Sequence, residues 1–271
     1  MATLRAEAHL AQPELAGRRI LICRPEPEAD RLAEAFRAAG ARVRVLPTVV
    51  REPLPETPER RSLLQELDNF HHIIAVSPYA ARLLLDEVDQ WWPQPPVGVH
   101  WYGVGAGTAA AFAEAGLPAE KPDDGWTSEA LLAHPSLQHL EHEKVLLARG
   151  EQGRELIRQT LEQRGARVTV LPLYRRLQPY YPADELSEIF TGFRPEAVIA
   201  LSGETLNNLK DMAREYPHAF DTALVVVPAD RVAEQARAAG FSNPVVPDGL
   251  SDRELVNCVA VRLRPQAGNN G

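Results

Sequence analysis

Hydroxyl groups stand at the ends of two apolar runs, where they could help to bind an anionic ligand. Ser77 closes the run IIAVS and Ser202 closes the run VIALS, and helix-prone sequence follows each serine. A serine in that place caps a helix, and the free N–H groups of the helix N-terminus attract carboxylates. Neither serine has a recognisable histidine or carboxylate partner beside it, so a nucleophilic role is not favoured.

Two arginines also follow apolar runs, Arg24 in CRPE and Arg149 in ARGE. A guanidinium group matches the geometry of a carboxylate, so both are candidates for substrate binding. The alternative is an ordinary salt bridge to Glu26, Glu28 or Glu151. Three further basic candidates rank below these two: Arg154, Arg175 and Arg176.

The segment GVGAGTAAAF combines spaced glycines with Thr108 at an expected helix start. Glycines let the backbone approach a ligand closely, so Thr108 is a further candidate for substrate binding. The segment only partly resembles a dinucleotide fingerprint, because Thr108 stands where the third glycine belongs.

The elements that must position these residues are duplicated along the chain. GARVRVLP begins at Gly40 and GARVTVLP begins at Gly165, which is 125 residues later, and IIAVS and VIALS have the same spacing. Apolar runs without alternation indicate strands covered on both faces, and helices between them indicate parallel βαβ units. Gly116 and Gly240, like the two glycines above, stand where a helix should end in a left-handed cap. We therefore expect two doubly wound α/β sheets of four or five strands each, with a ligand at the carboxyl ends of the strands.

Composition narrows the class of protein. The chain has 271 residues, a net charge of −8 and two cysteines without a CxxC motif. These features do not favour a nucleic-acid surface, a disulfide framework or a zinc ribbon. No run approaches the roughly 20 apolar residues of a membrane helix, so we expect a cytoplasmic protein without membrane contact. For the histidines, of which His72 and His142 are examples, a solvated or capping role is favoured over a metal site.

The ordered set of segments resembles the uroporphyrinogen-III synthase family from about residue 18 to 262. The pieces that carry the resemblance are ILICRPEPEADRLAEAFRAAGARVRVLP, IIAVSPYAARLLL, WYGVGAGTAAAFAEAG, VLLARGEQGRELIRQTLEQRGARVTVLPLYRR and VIALSGETLNNL. No single piece is diagnostic, but ARGEQGRELI followed by LPLYRR is specific.

The resemblance implies two flavodoxin-like domains joined by a two-segment linker, with a ligand cleft between them. One domain would comprise residues 1–47 and 176–271, and the other residues 50–173. The linkers would then be residues 48–49 and 174–175.

The resemblance also implies an activity. Members of the family convert hydroxymethylbilane into uroporphyrinogen III with inversion of the terminal pyrrole ring and loss of water, whereas the unassisted substrate closes to the uninverted isomer. Tyr174 in LPLYRR matches the tyrosine of the family's cleft, and a phenol that is protonated at neutral pH can donate to a departing hydroxyl. Ala229 stands where the family often has Ser or Thr, so only backbone N–H groups would bind there. Trp126 is a further residue that could line the cleft, although packing is the default expectation.

We expect no metal and no organic cofactor. The resemblance further implies a monomer, with a transient contact to hydroxymethylbilane synthase. Because the substrate carries eight carboxylates and the protein carries a net −8, positive potential should be local, at helix ends and near Arg24 and Arg149. Two alternatives stay open at this point: a bilobal sensor of an anionic metabolite, and a nucleotide-using α/β enzyme.

Overall fold

The computed structural model describes residues 14–122, 125, 127–153 and 155–264. Contacts within the chain separate into two compact units. The first unit takes the chain up to Val50 and from Leu177 onward, and the second unit is Arg51–Arg176. Each unit contains a five-stranded sheet.

The sheet of the first unit has the strand order β10-β9-β8-β1-β2, and the pairings are parallel. Its strands are β1 (Arg19–Ile22), β2 (Arg42–Val45), β8 (Ala197–Ile199), β9 (Leu224–Val226) and β10 (Asn243–Val245). The helices of this unit are α1 (Glu28–Ala38), α7 (Ala183–Ser187), α8 (Gly203–Met212), α9 (Asp230–Ala238) and α10 (Asp252–Leu263). A π-helical turn, Glu188–Phe193, continues α7.

Helices cover both faces of this sheet. Ile20 and Ile22 of β1 pack in one cluster with apolar residues of α1 and α10. Leu21 of the same strand points to the other face, where it packs with residues of α8 and α9. A strand that is buried on both faces needs apolar residues at successive positions, which explains why the run RILI does not alternate.

The sheet of the second unit has the order β3-β7-β6-β4-β5. Its strands are β3 (Val50–Pro53), β4 (His72–Ala75), β5 (His100–Gly103), β6 (Lys144–Gly150) and β7 (Arg167–Leu177). Its helices are α2 (Pro58–Gln65), α3 (Pro78–Trp91), α4 (Ala106–Glu114), α5 (Ser128–Leu132) and α6 (Leu156–Gln163). Ile73 packs with residues of α2, α3 and α4 on one face, and Ile74 packs with residues of α5 and α6 on the other.

The edge strand β3 runs against the direction of its neighbour β7. The Leu54 N–H donates to the Leu173 carbonyl over 2.9 Å, while Glu52 forms a salt bridge of 2.9 Å with Arg175. Because the partner number falls as the residue number rises, the two strands are antiparallel, and the second sheet is mixed at this edge. The chain enters the second unit at the first residues of β3 and leaves it at the last residues of β7, so both crossings lie at the same end of this pair.

The predicted duplication of α/β sheets is confirmed, and so are the predicted helix ends. Gly40, Gly116, Gly165 and Gly240 all have a positive φ, between 76° and 96°. A residue with a Cβ rarely adopts this backbone conformation, and so each helix ends at a glycine. No helix among the described residues is long and apolar enough to cross a lipid bilayer.

Candidate functional site

Tyr174 and Ser77 meet at the carboxyl edge of the second sheet. Ser77 is the N-cap of α3, as predicted, and its hydroxyl accepts a hydrogen bond from the Ala80 N–H over 3.1 Å. The same oxygen lies 3.4 Å from the phenolic oxygen of Tyr174, where either group can donate. Tyr174 lies on β7 and is only 6% exposed. A capping serine and the predicted proton donor therefore share one contact.

Thr108 occupies a different position from the expected helix start. Gly105 is the N-cap of α4, and Thr108 is the third helical residue with its side chain buried. Its hydroxyl donates back to the Val104 carbonyl over 3.4 Å. At this helix, the N–H groups of Ala106 and Gly107 lack an intrahelical carbonyl partner, because the helix begins there.

Arg149 is buried at the end of β6 and has a carboxylate partner that the sequence analysis missed. Its Nη2 lies 2.6 Å from Oε1 of Glu155, which was not among the salt-bridge partners named from the sequence. Glu155 also contacts Arg158 at 2.5 Å, and these two arginines hold the pKa of the Glu155 carboxyl below its usual range, Arg158 most strongly. Glu155 thus shares its charge between two guanidinium groups.

Ser202 is the N-cap of α8 in the first unit, as predicted, and its hydroxyl is fully engaged. Its oxygen accepts from the Thr205 N–H over 3.0 Å, and its proton goes to Thr205 Oγ1 over 2.8 Å. The buried Thr48, just beyond β2, donates to the Thr205 carbonyl over 2.9 Å, and the Asn208 side chain donates to the Thr48 carbonyl over 2.8 Å. These hydrogen bonds fasten the first turn of α8 to the end of β2.

Ala229 and Arg24 also lie at the carboxyl edge of the first sheet. Ala229 is the N-cap of α9 without a side-chain hydrogen bond, so only backbone N–H groups are available there. Asp230 in the first turn adds a negative charge beside those groups. Arg24 follows β1 and the buried Cys23, is half-buried, and has interactions within the fold. Burial raises the pKa of the Cys23 thiol, which keeps it protonated.

Two of the three lower-ranked arginines have polar partners in the structure. Arg175 forms its salt bridge with Glu52, and Arg176 donates to the Gln152 carbonyl over 3.0 Å. Arg154 and Trp126 lie outside the described residues.

Three residues that lie against Tyr174 or against its neighbour Tyr79 were not singled out from the sequence. The ring of Tyr79 stands edge-on to that of Tyr174, with centroids 5.0 Å apart and an interplanar angle of 79°. The guanidinium of Arg51 lies 4.3 Å from the centre of the Tyr79 ring. Gly150 of β6 faces Tyr174 in register. Only its place in PYAARLLL, two residues after Ser77, could have drawn attention to Tyr79.

A cavity of about 520 Å³ in the second unit lies elsewhere, beside α2 and the first half of β7. Apolar side chains such as Leu54, Leu63 and Leu171 line most of it. Its lining includes neither Tyr174 nor Ser77.

The expectation that the histidines are solvated or capping is wrong for His72. His72 is 4% exposed at the amino end of β4, with Nε2 against the Glu143 carboxylate and Nδ1 3.2 Å from the Tyr102 hydroxyl. The Tyr102 hydroxyl lies 2.8 Å from Ser136 Oγ. His142, by contrast, is exposed, as expected.

The contacts continue from Ser136 to a second carboxylate. Ser136 Oγ lies 2.8 Å from His134 Nδ1, and His134 Nε2 lies 3.1 Å from Glu120. We call this row the histidine–glutamate chain; its members, in order, are Glu143, His72, Tyr102, Ser136, His134 and Glu120. His72 is the first residue of β4, at the amino edge of the sheet, and Tyr102 is the third residue of the neighbouring strand β5.

Burial dominates the protonation of the inner members of the chain. Burial lowers the pKa of His72, and the Glu143 carboxylate opposes this effect without reversing it. Burial raises the pKa of Tyr102 to about 12, against a smaller opposite effect of the Ser136 hydrogen bond. Within the described part of the chain, no group of three His, Cys, Asp or Glu side chains is arranged to hold a metal ion.

Comparison with known proteins gives one consistent result. The family model of uroporphyrinogen-III synthase HemD matches residues 30–257. The Escherichia coli K12 uroporphyrinogen-III synthase is 29% identical over 246 residues, which are 89% of this chain and 99% of that protein. The Proteus mirabilis enzyme of the same name is 34% identical over 172 residues, 62% of this chain and 85% of that protein.

Solved structures agree in fold. A crystal structure of a mutant uroporphyrinogen III synthase from Thermus thermophilus has a TM-score of 0.61 at 20% identity, covering 91% of this chain and 99% of that one. Uroporphyrinogen-III synthetase from Helicobacter pylori has a TM-score of 0.55 at 14% identity, covering 91% and 100%. The family match spans most of the chain, and so the chain belongs to the uroporphyrinogen-III synthase family and has its hydro-lyase activity in tetrapyrrole biosynthesis.

Proposed function

We propose that Tyr174 is the proton donor of the cyclisation of hydroxymethylbilane to uroporphyrinogen III. The contact between the Tyr174 phenol and the Ser77 hydroxyl is the observation that carries this proposal. Loss of the substrate's hydroxyl as water requires one proton, and a neutral phenol can supply it. Macrocycle closure releases a proton from the substituted pyrrole carbon, and its return to the phenolate restores the enzyme.

Ser77 supports the phenolate in this proposal. Its oxygen accepts the Ala80 N–H, so its own proton stays available for donation. A hydrogen bond from a neutral hydroxyl to a phenolate is charge-assisted and stronger than one to a phenol. Ser77 therefore stabilises Tyr174 more after proton transfer than before it, which favours the transition state.

The substrate's carboxylates are held by backbone and guanidinium groups. The N-termini of α3, α4, α8 and α9 each present the positive end of a helix dipole. Arg149 and Arg24 supply positive charge at the carboxyl edges of their own sheets. Thr108 contributes through the N–H groups that precede it, since its hydroxyl is engaged with Val104.

The proposal extends to organisation and setting. The domains are residues 1–47 with 176–271, and residues 50–173, a division supported by the two compact units. The protein acts as a cytoplasmic monomer and meets hydroxymethylbilane synthase transiently as that enzyme releases its product.

The experiment is turnover of freshly generated hydroxymethylbilane by Tyr174→Phe, with both product isomers quantified. General acid catalysis contributes about 10²–10⁴-fold, so kcat should fall by about 10² or more while KM stays near the wild-type value. Tyr102→Phe is the matched control, because it removes a buried phenolic hydroxyl outside this site. Undiminished kcat in Tyr174→Phe would exclude Tyr174 as the proton donor.

A further inference from the structure

Three elements hold the ring of Tyr174. Gly150 on β6 lies against the ring, Tyr79 in the first turn of α3 meets it edge-on, and Ser77 contacts its hydroxyl. The sequence motifs give no role to Gly150 or Tyr79.

Gly150 leaves no space for a side chain beside the phenol. A Cβ at this position would lie 3.0 Å from both Cε2 and Cζ of Tyr174, the carbons at the hydroxyl-bearing end of the ring. Carbon atoms in contact normally lie about 3.5–4.0 Å apart, so the ring would have to move by several tenths of an ångström. The backbone cannot readily relieve this, because the Glu151 N–H donates to the Tyr174 carbonyl over 2.7 Å.

Tyr79 limits movement on another side of the ring. Its centroid is 5.0 Å from that of Tyr174, a separation typical of a favourable edge-to-face aromatic pair. The guanidinium of Arg51 covers the Tyr79 ring at 4.3 Å, within the range of a cation–π interaction. Tyr79 is therefore itself fixed, since contacts from β3 and β7 both reach it.

We propose that Gly150 and Tyr79 are positioning residues that set the direction of the Tyr174 hydroxyl. The inference rests on the proposed role of Tyr174 as proton donor. Delivery of a proton to one hydroxyl requires a fixed donor position, and a displacement of about 1 Å can cost about 10²-fold in rate. Gly150 leaves room for the Tyr174 ring because it has no Cβ. Tyr79 acts through its ring rather than through its hydroxyl.

The first experiment places Gly150→Ala in the wild-type protein and in Tyr174→Phe. We expect kcat to fall about tenfold in the wild-type background, with KM changed less than twofold. In the Tyr174→Phe background the same substitution should change kcat less than twofold, because the hydroxyl it misdirects is already absent. Gly192→Ala is the control for glycine replacement, since a Cβ there meets only Glu188 Cγ at 3.9 Å.

The second experiment separates the ring of Tyr79 from its hydroxyl. Tyr79→Leu should lower kcat several-fold and raise the share of the uninverted isomer, whereas Tyr79→Phe should retain the wild-type kcat. If Gly150→Ala does not fold, the two Tyr79 variants still test the proposal. Unfolding midpoints are measured for every variant. A loss of folded protein cannot imitate the expected result, because it would lower activity equally in the wild-type and the Tyr174→Phe backgrounds.

Two results would overturn the positioning roles. One is a loss in Gly150→Ala that is equally large in both backgrounds, and the other is an unchanged kcat in both Gly150→Ala and Tyr79→Leu. Failure of the proposed function looks different, because Tyr174→Phe alone would then keep its full turnover.

Discussion

The hydroxyl of Ser77 lies 3.4 Å from the phenolic oxygen of Tyr174, although 97 residues separate them in the chain. Ser77 follows β4 and Tyr174 lies on β7, with β6 between these strands in the sheet. Parallel strands bring their carboxyl ends to one edge, and the contact forms across that edge. Its closest counterpart in the first unit, Ser202, contacts Thr205 instead.

Replacing each capping serine by alanine should separate capping from catalysis. Ser77→Ala and Ser202→Ala each remove a side-chain hydrogen bond at a helix N-terminus, which costs about 1 kcal/mol of unfolding free energy. Only Ser77→Ala should also lower kcat, because only Ser77 contacts Tyr174; any effect of Ser202→Ala should appear in KM. Denaturant unfolding and steady-state kinetics measure the two effects. Equal kcat values in the two variants would contradict the support of Tyr174 by Ser77.

Removing the carboxylate of Glu155 should strengthen substrate binding. Glu155→Gln leaves the positive charges of Arg149 and Arg158 without their shared counter-ion. We expect a lower KM at low ionic strength, and a smaller effect at high salt because charges are then screened. Arg149→Gln removes a positive charge instead of a negative one, and it should therefore raise KM. An increase of KM in Glu155→Gln would indicate that Glu155 orients Arg149 rather than competing with the substrate.

Tyr102→Phe should lower stability without lowering turnover. The Tyr102 hydroxyl joins His72 to Ser136, and its loss leaves the buried Nδ1 of His72 without that partner. An unsatisfied buried polar group costs about 1–3 kcal/mol of unfolding free energy. Urea unfolding and kcat measured under native conditions test both parts. A large loss of kcat with unchanged stability would place Tyr102 in the reaction.

Acid should weaken the fold through His72. Burial keeps the pKa of His72 in the folded protein below its value of about 6.5 in the unfolded chain. The unfolded chain therefore takes up the proton first, so this contribution to stability is complete above about pH 6.5 and declines as the pH falls toward the folded-state pKa. The slope from this one group cannot exceed about 1.4 kcal/mol per pH unit.

The measurement is urea unfolding of wild-type protein and of His72→Gln between pH 8 and pH 5. Glutamine does not titrate, so the variant should lose less stability across this range than the wild type. Parallel curves for the two proteins would show that His72 does not link stability to pH.

The elements of the fold could be predicted from the sequence because their causes are local. Unbroken apolar runs such as RILI require a strand covered on both faces, and Gly40 and Gly165 end their helices where no other residue fits as well. Ser77 and Ser202 were predictable as N-caps for the same reason. The family match also decides between the activities left open by the sequence, against a sensor and a nucleotide-using enzyme.

Partners brought together by the sheet could not be predicted. His72 meets Glu143 across 71 residues and Tyr102 across 30, and a pair of adjacent histidines gives no sign of either contact. Arg149 selects Glu155 rather than the nearer Glu151, since the start of α6 places Glu155 beside β6. In the sequence, Gly150 is indistinguishable from an ordinary turn glycine. The structure explains the glycine, because the Tyr174 ring occupies the space that a Cβ would need.

The histidine–glutamate chain has a consequence for how many protons the protein carries. Five contacts join its six members, and each hydrogen bond requires one proton between its two heavy atoms. Two neutral imidazoles, one phenol and one serine hydroxyl bring four protons, and two ionised carboxylates bring none. All five contacts can therefore be hydrogen bonds at once only when the row holds one additional proton. Without that proton, one of the five contacts joins two acceptor atoms with no hydrogen between them.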